Sequence, residues 1–198
     1  MKQLIAVLCW IGMMGVPVFA QQLDLAVGGG TPSSPGSSGS VNLANFTPSL
    51  RGGTYAGFGG DALFSRRFGV ETEVNWRASQ GSYAGQLPYR PLFWDFNLIY
   101  VQRLHKHVAA EALGGIGAES VRFYESTYNC DFYRSCSNYV SSTHFMADVG
   151  GGIRFYPYGN FFVRPEARLY FVHNNVEFSS AYVTRYGVSV GYTFGGSK

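Results

Sequence analysis

Val70-Glu71-Thr72-Glu73-Val74-Asn75-Trp76-Arg77 is the stretch that decides the fold. Its even positions are apolar or lipid-tolerant, and its odd positions are Glu, Glu, Asn and Arg. Side chains alternate across a strand, so a period of two predicts a strand with two chemically opposed faces. A soluble sandwich would show the same pattern, so the decision rests on comparison with the rest of the chain.

Seven further segments repeat it. Leu92, Trp94, Phe96, Leu98 and Tyr100 stand against Asp95 and Asn97; Val108, Ala110, Ala112 and Ile116 against Glu111 and Glu119. Phe145, Ala147, Val149, Ile153 and Phe155 oppose Asp148 and Arg154, while Val163, Ala167, Leu169 and Phe171 oppose Arg164, Glu166 and Arg168. The last segment sets Tyr186, Val188, Val190, Tyr192 and Phe194 against Arg185, Ser189 and Thr193. Two glycine-rich segments near the start, Leu23, Leu25 and Val27 against Asp24 and Ala56, Phe58, Ala62 and Phe64 against Asp61, are weaker examples. A soluble lipocalin-like barrel needs an apolar interior and a charged exterior. Here the ionisable groups share one face and the apolar face holds almost none, which suits a lipid-wetted exterior and a polar lumen. Backbone groups in lipid must pair within the protein, so an open sheet is excluded. The expectation is an all-β fold, an eight-stranded antiparallel transmembrane β-barrel of up-and-down topology.

The spacers give the orientation. Arg66-Arg67, His105-Lys106 and Tyr156 to Asn160 read as tight turns, whereas Thr31 to Leu50, Ala78 to Arg90, Arg122 to Ser142 and His173 to Ser180 read as longer polar loops. Long and short connections therefore alternate, as expected for short periplasmic turns and long extracellular loops. The first twenty residues read as a cleavable export signal: Lys2, a largely apolar Leu4 to Val16, and Val18-Phe19-Ala20 before the expected mature start at Gln21. Residues 21–198 are then the barrel, exported through the periplasm to a bacterial outer membrane. A net charge of +3 is too near balance to argue for nucleic acid, and 17% aromatic residues with 26 glycines suit sheets and tight turns better than helices.

The closing Arg185-Tyr186-Gly187-Val188-Ser189-Val190-Gly191-Tyr192 resembles the terminal signal read by the barrel-assembly machinery. The whole pattern from Gln21 resembles the eight-stranded outer-membrane barrels of the OmpA/OmpX type. That resemblance implies fold and location, with outer-membrane lipids and the assembly machinery as partners, and it names no activity. One departure is the Gly195-Gly196-Ser197-Lys198 extension past the last aromatic residue, Phe194.

Three candidate sites emerge. Acids lie mostly on the first five strands and arginines on the last three. Glu71, Glu73 and Glu111 are thereby expected to face Arg154, Arg164, Glu166 and Arg168 as a lumen charge network. Read functionally this is a gated ion path; a packed polar core in a barrel too narrow to conduct is the preferred reading. Cys130 and Cys136, in the third long loop, are expected to form a local disulfide in an oxidising compartment, beside Phe123, Tyr124, Tyr128, Phe132, Tyr133 and Tyr139. His173 with Ser179 or Ser180 and Glu177 is the one conceivable catalytic set, and it lacks any nucleophile motif. Thr31 to Ser40 reads as a flexible loop, and Pro165 predicts a local bulge because it cannot donate to a ladder. No cofactor, metal or catalytic residue is expected. The favoured role is structural or surface-interactive, displaying long loops to a possible extracellular ligand; a narrow gated pore comes second and a lipid-acting enzyme third.

Overall fold

A computed structural model describes residues 21–34, 50–83, 85, 87–130, 136–175 and 177–195, with backbone alone for 126–130. The expected signal segment 1–20, most of Thr31 to Ser40 and the tail from Gly196 lie outside these residues. Nine strands follow one another: β1 (Gln22–Ser33), β2 (Tyr55–Leu63), β3 (Phe68–Arg77), β4 (Gly81–Tyr83), β5 (Leu87–His105), β6 (Val108–Cys130), β7 (Cys136–Tyr158), β8 (Phe161–Val172) and β9 (Tyr182–Phe194). Every pairing is antiparallel. β9 closes on β1, from Leu23 opposite Phe194 to Ser33 opposite Thr184, and β3 pairs directly with β5. The short β4 pairs with β5 alone, so eight strands form the ring and β4 is a spur in the second long connection.

The two-faced pattern maps onto two surfaces. Outward residues are open, Leu98 to 68% and Phe96 to 60%, whereas Asn97 between them is 2% exposed. Two close approaches show why glycine recurs. A Cβ on Gly28 would lie 2.7 Å from Ser189 Cβ across the closing seam, and one on Gly115 would lie 2.2 Å from Asn97 Oδ1 inside the lumen. The short turns are built locally: Ser65 Oγ accepts from the Arg67 and Phe68 amides, and Gly159 takes a positive φ of 57° before Asn160 bonds the Thr193 carbonyl.

Three expectations are corrected. Arg122 to Ser142 is largely ladder rather than loop: β6 and β7 stay paired to Tyr124 opposite Tyr139, slip, and re-pair at Asn129 and Cys130 opposite Ser137 and Cys136. Polar outward residues are as compatible with a strand above the membrane as with a loop, and only partner availability separates the two. The second long connection contains β4 and the start of β5. Pro165 causes no register slip, since it stays opposite Val188 on β9. Toward β7, direct pairing lapses between Gly152–Glu166 and Phe155–Val163 in unchanged register. The missing amide is accommodated by a gap in one ladder, and the slip comes later, between Phe155 and Tyr158.

Candidate functional site

The inward faces form three stacked layers. The middle layer is ionic. Arg154 donates Nε to Glu111 at 2.6 Å and Nη2 to Asp61 at 2.6 Å, and Nη1 reaches Asp24, so one guanidinium ties β1, β2, β6 and β7 together. Arg168 contacts Glu71, Glu73 at 2.6 Å and Glu166 at 3.3 Å. Arg164 lies 3.4 Å from Glu71, 3.3 Å from Glu111 and 3.4 Å from Glu166, and bonds Ser189 Oγ at 3.1 Å. Arg185 bonds Glu73 at 3.0 Å and reaches Glu166. The structure thus brings together Glu71, Glu73, Glu111, Arg154, Arg164, Glu166 and Arg168, and adds Asp24, Asp61 and Arg185.

These contacts reach across the barrel, because β3 and β8 stand on opposite walls. In so narrow a ring the long guanidinium arms meet carboxylates from the facing side, and the shared forks fill the cross-section. The arginines do not satisfy every acid. Asp148 is buried, with neither carboxylate oxygen hydrogen-bonded. Among the described residues no cluster of His, Cys, Asp and Glu suits a metal ion.

Apolar layers lie above and below, where a polar lumen was expected throughout. Toward the long loops, Phe93 stacks on Tyr170 at 5.2 Å, with Tyr55, Tyr89, Val121 and Met146 in the same cluster. Toward the short turns, Leu63, Ile99, Val101, Ala109 and Leu113 form a second cluster, and Phe162 lies beneath the Arg154 guanidinium at 5.3 Å. The signal for these layers is present in the chain: Phe93, Ile99 and Val101 share the parity of Asp95 and Asn97 on β5. Reading the polar face through its charges alone passes over them.

A cap closes the long-loop end. Between β8 and β9 the chain turns at Asn174, with a positive φ of 56°, and folds Phe178 inward until it is 4% exposed. The Phe178 ring meets Tyr89 at 5.7 Å and Tyr83 at 6.0 Å, and Phe123 packs on Tyr83 at 5.1 Å. The Tyr83 hydroxyl donates to the Glu177 carbonyl at 2.7 Å. Burial, with the Glu177 carboxylate adding to it, pushes that hydroxyl's pKa up and keeps it a donor. Asn175 reaches the buried Glu119 at 3.4 Å.

The conceivable catalytic set is rearranged by the fold. His144 Nε2, rather than His173, lies 2.7 Å from Glu177 and 2.9 Å from Ser142 Oγ. His173 leads the β8–β9 turn, where its amide bonds the Phe145 carbonyl, and Ser180 Oγ bonds the backbone of Tyr182. One ring nitrogen faces both serine and glutamate. A relay needs the two ring nitrogens divided between nucleophile and carboxylate, so this geometry tethers a loop and does not activate a hydroxyl. Of the aromatic residues expected to adorn the third loop, Phe123 joins the cap and Tyr124 lies 6.3 Å from Tyr139. Phe132 and Tyr133 lie outside the described residues, as does the side chain of Tyr128. Cys130 and Cys136 face each other as register partners at the tip of the β6–β7 ladder.

No protein-family model matches the chain, and no curated protein sequence is significantly similar to it. Solved structures are. Neisserial surface protein A superposes with a TM-score of 0.60 at 13% identity, over 88% of this chain and 98% of that one. Ail, the attachment invasion locus protein of Yersinia pestis, gives 0.57 at 13% identity over 87% and 98%. The N-terminal β-barrel domain of Pseudomonas aeruginosa OprF gives 0.57 at 11% identity over 88% and 98%. At such identities the likeness speaks for fold alone, and it agrees with the ring closure, the two-faced strands and the alternating connections: this chain has the small eight-stranded outer-membrane β-barrel fold of the OmpA/OmpX type.

Proposed function

We propose that the protein is a non-conducting outer-membrane scaffold, exported by a cleaved signal, that holds a braced β-hairpin and a capped rim toward the outside. The observation that carries this reading is the stack of layers in the lumen. Among the described residues an aromatic cap, crossed ion pairs and an aliphatic floor follow one another along the lumen, an arrangement that favours a closed interior over a path for a hydrated ion. The β6–β7 hairpin supplies the surface function, since its ladder runs well beyond the last lumen-facing layer. Directly opposed antiparallel residues have Cα atoms about 4.5–5.5 Å apart, within the range a disulfide spans, so a Cys130–Cys136 bond would brace the tip. The ligand is open to a surface role. Ail has been crystallised with the heparin analogue sucrose octasulfate, and this chain carries Arg51, Arg77, Arg90 and Arg122 at its long-loop end, which makes an anionic extracellular ligand the first to screen.

Single-channel recording in a planar bilayer tests the reading. Silence across the physiological voltage range is the expected result. Steady, reproducible conductance would overturn the scaffold in favour of a gated pore.

A further inference from the structure

Arg90 on β5 and Arg122 on β6 are direct cross-strand partners. Arg90 shares parity with Leu92, Trp94 and Phe96, so both side chains lie on the outer surface, one pleat beyond the apolar band. Cβ atoms at such positions are about 5 Å apart, and like charges placed there are destabilising. Among the described residues neither arginine forms an ion pair, and Arg90 Nε is buried without a hydrogen-bond partner. Arg122 is nonetheless held in place. It lies over the Tyr139 ring at 5.1 Å, and its partner on β7 is Ser141. One pleat toward the membrane, Thr143 Oγ1 donates to Ser120 Oγ at 3.1 Å. On the other flank Trp76 pairs with Leu92, and with Trp94 it marks the interface where amphipathic rings settle.

Two guanidinium groups without an ion-pair partner among the described residues, one of them braced on Tyr139, therefore sit at headgroup height on the long-loop rim, with a row of hydroxyls beside them. A phosphate accepts two such forks. A phosphomonoester carries close to two negative charges near neutrality and matches two cations, whereas a phosphodiester carries one. The hydroxyl row suits a sugar. We propose that Arg90 and Arg122 clamp a phosphomonoester of a phosphorylated glycolipid in the leaflet around the long-loop rim. This rests on the proposed orientation, long loops outward.

The test uses the full chain refolded into phosphatidylcholine vesicles, alone or with phosphatidylglycerol or bisphosphorylated lipid A, read by the midpoint of heat-modifiable gel mobility. Lipid A should raise the midpoint more than phosphatidylglycerol does. Arg90→Gln/Arg122→Gln should fold in phosphatidylcholine and lose that rise; Arg90→Lys/Arg122→Lys should keep part of it. Arg66→Gln/Arg67→Gln, which removes equal charge at the short turns, should keep all of it. An equal rise with phosphatidylglycerol would assign the site to phospholipid and overturn the glycolipid clamp. Retention of the rise by Arg90→Gln/Arg122→Gln, or its loss in Arg66→Gln/Arg67→Gln, would overturn it too. Insertion of the wild type with no lipid A effect sinks the clamp alone, whereas failure to insert into any vesicle sinks the outer-membrane reading with it.

Discussion

Arg154 shows at the scale of one residue how the lumen is held. Its three nitrogens meet Glu111, Asp61 and Asp24, and the side chain is 0% exposed. Removing one partner from a buried ion pair leaves the others uncompensated, a far larger penalty than the net worth of the pair itself. Arg168→Ala, which takes one of its arginine partners from each of Glu71, Glu73 and Glu166, should destabilise by about 3 kcal/mol, and Arg154→Ala by at least as much, measured by urea unfolding in lipid vesicles. Arg168→Met should be milder than Arg168→Ala, because it refills the volume vacated. Equal losses for the two would mean that charge, not volume, closes the barrel at this level.

The elements above the ring carry the next predictions. Phe178 is the only large apolar side chain that the β8–β9 connection buries among its described residues, so the cap depends on it. Phe178→Ala should cost up to about 3 kcal/mol of local stability, seen as faster amide exchange from His173 to Ala181 with little change at β5. The β6–β7 tip behaves differently. A bond between Cys130 and Cys136 closes so short a loop that its loss should cost about 2 kcal/mol, confined to the tip. Non-reducing peptide mapping should find the two joined; Cys130→Ser/Cys136→Ser should speed proteolysis of the hairpin and leave the barrel's unfolding midpoint unchanged. Recovery of two free thiols from envelope material would count against the brace.

For the whole molecule, closure and sidedness set the observables. A ring with no open edge and an apolar exterior should give strand-dominated circular dichroism in detergent and a gel mobility that shifts on heating. A soluble, helix-rich product recovered from the cytosol would contradict both. The net charge of +3 conceals a segregation. Acids and arginines cancel partly in the lumen, while Arg66, Arg67, Arg103 and Lys106 stand exposed at the short-turn rim.

The sequence by itself determined strand periodicity, the inside and outside of each strand, and the tight turns, because these depend on neighbours two to four residues apart. Val70 to Arg77 is enough to say that Glu71 and Glu73 share a face, and the facing of β3 and β8 followed from counting strands around a ring. Tertiary structure alone decided what lies beyond that reach. The continuation of Arg122 to Ser142 as a paired hairpin depends on a partner strand being present. The replacement of His173 by His144 at Glu177 depends on how the cap folds inward. The aromatic and aliphatic plugs depend on which inward residues share a height, and height comes from stagger between strands, which no single strand encodes.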